Sequence, residues 1–147
     1  MKAFLDSSFL VYLNTMTSDG RKSLDELFRN LLQEQLYINM LIVDEVLYIS
    51  RKQGLPYSVT LNFLRAIILP YAEIAPIEEE DLKPAEKYLL NYSLKPSDAI
   101  HLATMEKVGA SHIVTEDEDF DKVKEVKRIW LNTNTNLSTI NGSTQRV

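Results

Sequence analysis

Short apolar runs alternate along this chain with longer stretches in which apolar residues recur at helical spacing. The runs at 2–5, 36–40, 72–75, 112–115 and 128–131 are too short for stable helices and read as strands. The stretches at 9–16, 23–34, 42–52, 58–69, 79–91 and 97–108 carry the helical period. Gly20, Gly54, Pro56, Pro70, Pro76, Pro84 and Gly109 fall between them as breaks or in first turns. Strands alternating with helices predict an α/β fold, a three-layer sandwich around a central, mostly parallel five-stranded sheet. No internal repeat interrupts the pattern. Beyond Leu131 the chain turns to Asn, Thr and Ser, so the expected organisation is one domain at 1–131 and a polar, flexible tail at 132–147.

The 147 residues suit a single domain able to bury a real core. With no cysteine, disulfides, thiolate metal sites and cysteine nucleophiles are excluded. Lys2 and Asp6 leave no room for a signal-peptide core at the start, and no apolar stretch reaches the ~18 residues that span a bilayer. A cytoplasmic protein without a membrane partner is expected. The net charge of −5 argues against a passive nucleic-acid coat, which would be basic, but not against an enzyme whose acids hold a divalent ion. Basic groups such as Arg51-Lys52 read first as solvated faces.

Charge changes the picture most where acids meet strand ends. Asp6 follows the first strand, Glu45 lies in the first turn of the helix after the second, Asp98 opens the helix before the fourth, and Asp117 follows the fourth. In a parallel sheet with helical crossovers, strand C-termini and helix N-termini share one edge, where such residues meet. Each acid also has a plainer reading. Asp6 suits a helix cap as well as a site. Asp44 and Glu45 both flank the apolar arc of their helix, and spacing alone does not choose between them. Asp98 falls among Leu102, Met105 and His101 on an apolar face, where an unpaired carboxylate is costly, and Ser97 is available to cap instead. The run Glu116-Asp117-Glu118-Asp119 reads as a solvated turn, and composition does not pick out a member. His101 reads as a packing or supporting residue ahead of a metal ligand, and His112 as structural. Tyr12, Tyr48 and Tyr92 read as core or rim residues.

Four stretches, Phe4-Leu5-Asp6-Ser7-Ser8-Phe9-Leu10-Val11, Asp44-Glu45-Val46, Ser97-Asp98-Ala99-Ile100-His101-Leu102-Ala103 and Ile113-Val114-Thr115-Glu116-Asp117-Glu118-Asp119-Phe120, together resemble the PIN-domain family in order and separation. The resemblance covers nearly everything but the polar tail. It implies a metal-dependent ribonuclease, of which many are toxins of VapC-type toxin–antitoxin pairs. It implies an acidic site of Asp6, Glu45, Asp98 and Asp117, with Asp117 chosen over Glu116 by the family's Thr-x-Asp wording. Asp119 matches a secondary acidic position, while Ser8 and Thr115 match supporting positions around the first aspartate. The partners it implies are RNA, an antitoxin that places an Arg or Lys against the carboxylates, and a second copy of the chain in a homodimer. Phe9, Leu13, Leu24, Leu27, Phe28 and Leu31 are candidates for a groove that receives the antitoxin, with core packing as their plainer role.

The chemistry agrees with such a site. Two carboxylates ~5 Å apart repel by about 3 kcal/mol at an effective dielectric of about 20, so a cluster must take up protons or a cation. All-oxygen donors favour hard ions, hence Mg²⁺ or Mn²⁺. A phosphotransfer receiver would place paired acids near the first strand and a lysine after the last, and a dehalogenase-like phosphatase an Asp-x-Asp. Here Ser7-Ser8 follow Asp6, and Trp130-Leu131 end the last strand. The remaining alternatives are a PIN-like module that binds a partner without cleaving, and a PIN nuclease of RNA processing without an antitoxin.

Overall fold

The computed structural model describes residues 1–131; the tail expected at 132–147 lies outside the described residues. In chain order the elements are β1 (Lys2–Leu5), α1 (Ser7–Thr15), α2 (Arg21–Leu31), β2 (Gln35–Ile38), α3 (Met40–Lys52), α4 (Tyr57–Phe63), β3 (Ala72–Ile74), α5 (Leu82–Tyr92), α6 (Pro96–Val108), β4 (His112–Val114) and β5 (Lys127–Ile129). α4 runs on into a π-helical stretch, Leu64–Ile68, and short 3₁₀ turns occupy Glu79–Asp81 and Glu118–Lys122.

The five strands form one sheet in the order β3-β2-β1-β4-β5, and every pairing is parallel. The expected mostly parallel sheet is therefore wholly parallel. Phe4 pairs with Tyr37 on one side and with Ile113 on the other, so β1 lies at the centre. Strand order reverses between β1 and β4, because the chain winds outward from β1 to β2 and β3 before returning to β4. A crevice outside the strand C-termini at such a reversal is where open α/β sheets bind ligands.

The core follows from the strand residues. Ala3, Phe4, Leu5, Ile38, Ile113 and Val114 have no exposed surface, consistent with a sheet covered on both faces. α1 packs against α3 and α3 against α4, while α5 pairs with α6. Each large apolar side chain so buried contributes about 1.5–3 kcal/mol.

Caps decide the helix boundaries around the site. Asn39 ends β2 and starts α3 by accepting the Ile42 N–H on its Oδ1 at 2.9 Å. Residues 39 and 40, expected in the second strand, thus serve as helix cap and first turn. α6 begins at Pro96, whose fixed φ suits a first helical position, and Lys95 precedes it as a cap residue without a side-chain bond. Ser97, expected as the cap, is inside the helix. Gly109 closes α6 at φ +76°, a left-handed conformation glycine adopts without strain.

Candidate metal centre

Asp6 lies one residue past β1, and its backbone N–H donates to Val114 O at 3.0 Å, which continues the β1–β4 ladder to the rim of the sheet. It occupies the cap position of α1 but makes no capping bond with its side chain. Its Oδ2 instead accepts the hydroxyl of fully buried Thr115 at 2.7 Å. That proton is committed to Asp6, so Ser8, 3.3 Å away, donates to Thr115 Oγ1 and in turn accepts the Glu116 N–H at 3.2 Å. Thr115 Oγ1 also accepts the Asp117 N–H at 3.0 Å. Ser8 and Thr115 therefore support the first aspartate as a chain of hydroxyls, with Ser8 acting through Thr115.

Glu45 and Asp44 part company in the fold. Asp44 is exposed, whereas Glu45 is half-buried and its Oε1 lies 3.1 Å from His101 Nε2. His101 is fully buried beneath Phe4, with ring centroids 5.3 Å apart. Its Nδ1 lies 3.2 Å from Asn39 Nδ2, which also donates to Thr104 Oγ1 at 2.9 Å. Burial pushes the Glu45 carboxyl up, but the hydrogen bonds from His101 and Ser7 and the charge of Lys95 outweigh it and leave it below the usual range.

Asp98 lies in the first turn of α6, and its Oδ2 is buried with no hydrogen-bond partner among the described residues. Burial, reinforced by the negative charges of Asp6, Asp117 and Glu45 and only partly offset by His101, pushes its carboxyl up to about 6 from an ordinary 3.8. Asp98 therefore feels the negative charge of all three other acids. Burial likewise raises Asp6 despite the opposing influence of His101 and the Thr115 bond, with Glu45 adding to the rise. Asp117 spends one oxygen, Oδ1, on the Asp119 N–H at 2.9 Å, where it caps the following 3₁₀ turn. Asp6, Glu45 and His101 offer ligand atoms all within 4.8 Å of one another. An orphaned buried carboxylate oxygen among converging acids fits a hard divalent cation, which would satisfy that oxygen and neutralise the cluster.

The remaining expectations sort by exposure. Asp119 and Glu116 are exposed, and Glu116 accepts the Tyr12 hydroxyl at 2.7 Å instead of entering the crevice. Tyr12 packs against Trp130, Tyr92 bonds Glu125, and Tyr48 is 60% exposed on α3. Phe9, Leu13, Leu24, Leu27 and Leu31 are buried in the core and Phe28 packs against it, so these six do not line an open groove. His112 begins β4 away from the acids. Asn39 and Thr104 went unnoticed in the sequence. The signal for Asn39 was a short polar residue before an apolar helical run.

Comparison with known proteins agrees with this architecture. The PIN domain family model matches residues 3–126, and the chain belongs to the PIN-domain family. A comparison with curated protein sequences gave no match. Among solved structures the chain resembles Mycobacterium tuberculosis VapC20, described as a Sarcin-Ricin loop cleaving toxin, with 13% identity and a TM-score of 0.68 over 83% of this chain and 95% of that one. It is also similar to a chain of VapBC2 from Rickettsia felis bound to a DNA fragment from the promoter, with 16% identity and a TM-score of 0.69 over 88% and 98%. A toxin–antitoxin complex from Klebsiella pneumoniae matches at 21% identity with a TM-score of 0.66 over 88% and 97%. At these identities the structural likeness establishes the fold.

Proposed function

We propose that this protein is a divalent-metal-dependent ribonuclease, the toxin of a VapC-type toxin–antitoxin pair acting in the cytoplasm. The observation that supports the reading is the buried, unpartnered Asp98 Oδ2, on a carboxyl raised by burial and by the negative charges of Asp6, Asp117 and Glu45. Clustered carboxylates raised by burial and by each other are stable only when protonated or bound to a cation.

Asp6, Glu45 and Asp98 would hold Mg²⁺ or Mn²⁺, with Asp117 on a second ion or a ligated water and Asp119 on the solvent side. When bound, the ion supplies Lewis-acid polarisation of a phosphate and acidification of a water. The chain's own residues set the geometry. Thr115, backed by Ser8, fixes the rotamer of Asp6. His101 fixes Glu45. Phosphodiester hydrolysis forms a bond from water oxygen to phosphorus as the bond to the leaving oxygen breaks; one proton ends on that oxygen to give the alcohol, and the other passes to a rim carboxylate or to solvent. The Rickettsia and Klebsiella neighbours are toxin–antitoxin assemblies, which favours an antitoxin partner here. A cationic side chain from that partner, Arg or Lys, would satisfy the acid cluster as an ion does. Homodimerisation belongs to the same reading.

Asp6→Asn and Asp98→Asn are expected to abolish Mg²⁺- or Mn²⁺-dependent RNA cleavage and keep the fold, judged by circular dichroism. Undiminished cleavage by the purified double variant would mean that this cluster is not the site.

A further inference from the structure

Beneath the acid cluster lies a buried chain of hydrogen bonds whose direction is determined at every atom. It begins at the α3 N-terminus, where Ile42 N–H donates to Asn39 Oδ1 at 2.9 Å. That bond orients the amide, so the Asn39 NH₂ group points the other way, toward Thr104 Oγ1 at 2.9 Å and His101 Nδ1 at 3.2 Å. Thr104 spends its own hydroxyl proton on Ile100 O at 3.1 Å and therefore accepts from Asn39. The second Asn39 proton goes to His101 Nδ1, which must present a lone pair. With Nδ1 accepting, the ring proton is on Nε2, and it points at Glu45 Oε1 at 3.1 Å. Asn39, His101 and Thr104 are all fully buried, so water does not compete for these bonds.

This order matters because His101 Nε2 stands with Asp6 and Glu45 in a group of atoms close enough to grip one ion. A nitrogen that carries a proton is not a ligand. Resting on the metal-site reading above, we propose that Asn39 locks the tautomer of His101. The imidazole then serves as a positioning donor for Glu45 and is held out of the ion's coordination sphere, which reserves the site for hard, oxygen-preferring cations. Metal-binding histidines commonly show the opposite arrangement: the outer ring nitrogen donates to a carboxylate or carbonyl, and the inner one is free to ligate. Here an amide donor occupies the outer position and reverses the ring. The device discriminates against the softer, imidazole-seeking ions of the first transition row.

The lock is tested first without any substitution. Long-range ¹H–¹⁵N correlation of the histidine rings in the metal-free full chain at neutral pH is expected to show His101 protonated at Nε2 and bare at Nδ1. A ring protonated at Nδ1, or at both nitrogens, overturns the inference and leaves the acid cluster as it stands. The second test is Asn39→Asp, whose carboxylate can still accept the Ile42 N–H but offers His101 Nδ1 only an acceptor, which draws the ring proton to Nδ1 and frees Nε2. The Co²⁺-to-Mn²⁺ affinity ratio, read by calorimetry and by the Co²⁺ absorption spectrum, is expected to rise about ten- to a hundredfold. An unchanged ratio in the folded variant overturns the proposal.

Because Asn39→Asp buries a carboxylate and risks misfolding, His101→Leu and His101→Gln supply an independent arm. Loss of the donor in His101→Leu is expected to weaken Mn²⁺ binding about tenfold or more, with recovery in His101→Gln, whose amide can donate to Glu45. Equal Mn²⁺ affinity in wild type and His101→Leu overturns the positioning role. A wild type that binds neither Mn²⁺ nor Co²⁺ overturns the site reading, and the discrimination proposed here falls with it, even where the ring shows the expected tautomer.

Discussion

Thr115 Oγ1 donates to Asp6 Oδ2 at 2.7 Å, a bond between residues 109 apart in the chain that joins the ends of the two strands flanking the sheet's reversal point. The same oxygen takes the Asp117 N–H, so one hydroxyl fixes both the first aspartate and the loop that carries the last. Thr115→Val keeps the shape and removes every one of these bonds. It is expected to cost about 1–3 kcal/mol, because buried acceptors and donors are left unmatched. Urea denaturation of the two proteins measures the cost, and a difference below about 0.5 kcal/mol, the ordinary scatter for a neutral substitution, would refute the role given to this hydroxyl.

The pH behaviour of Asp98 has a definite sign. Folded, it keeps its proton up to about pH 6, whereas unfolded it ionises near 3.8. Between those values the unfolded state binds fewer protons, so the Asp98 contribution to metal-free stability falls as pH rises. At about 1.4 kcal/mol per pKa unit, the loss approaches ~3 kcal/mol by neutral pH. Asp98→Asn escapes it. The variant is expected to match wild type near pH 4 and to exceed it in chelator at pH 7, and a pH series of denaturation curves that runs parallel for the two proteins would contradict this.

Asp44 and Glu45 provide a matched pair. One is exposed and the other bonds His101, though they are neighbours in sequence and alike in charge. Asp44→Asn is expected to leave Mn²⁺ affinity within about twofold, in line with the near-neutral effect of most surface changes. Glu45→Gln is expected to lower it by tenfold or more, roughly the weight of one ligand. Calorimetric titration compares them directly. Equal losses in both would place the helix differently from the arrangement described.

Metal ought to stabilise the fold in proportion to its occupancy. At a hundred times the dissociation constant, binding to the native state alone adds about 2.7 kcal/mol. Thermal melts of wild type in Mn²⁺ against chelator should show that gain, and Asp6→Asn should melt at one temperature in both. A shift of equal size in the variant would locate the stabilising ion elsewhere.

Much of this was legible in the sequence, for identifiable reasons. Strand and helix periods located every strand and the six α-helices, because the sheet's fully buried residues form short apolar runs. Boundaries slipped where a single cap decides them. Asn39 and Met40 looked like strand until the Ile42 bond made Asn39 a helix start. Pro96 took the first helical position and left Ser97 inside α6. Topology alone brought acidic segments to one edge, since crossovers in a parallel sheet bring strand ends and helix starts together, and the family resemblance picked Glu45 and Asp117 from their neighbours. Glu45 could not be told from Asp44 by spacing, because both flank the apolar arc and only packing buries one. The Asn39 bonds to His101 and Thr104 were beyond reach, as they join residues 62 and 65 apart through side-chain directions that no local pattern encodes.

The central claim is that Asp6, Glu45, Asp98 and Asp117 together bind a divalent ion. Mn²⁺ titration followed by electron paramagnetic resonance, on wild type and on Asp6→Asn/Asp98→Asn, tests it most directly. The account predicts saturable, stoichiometric binding by wild type and its loss in the double variant. No saturable binding by wild type, or undiminished binding by the variant, would contradict it.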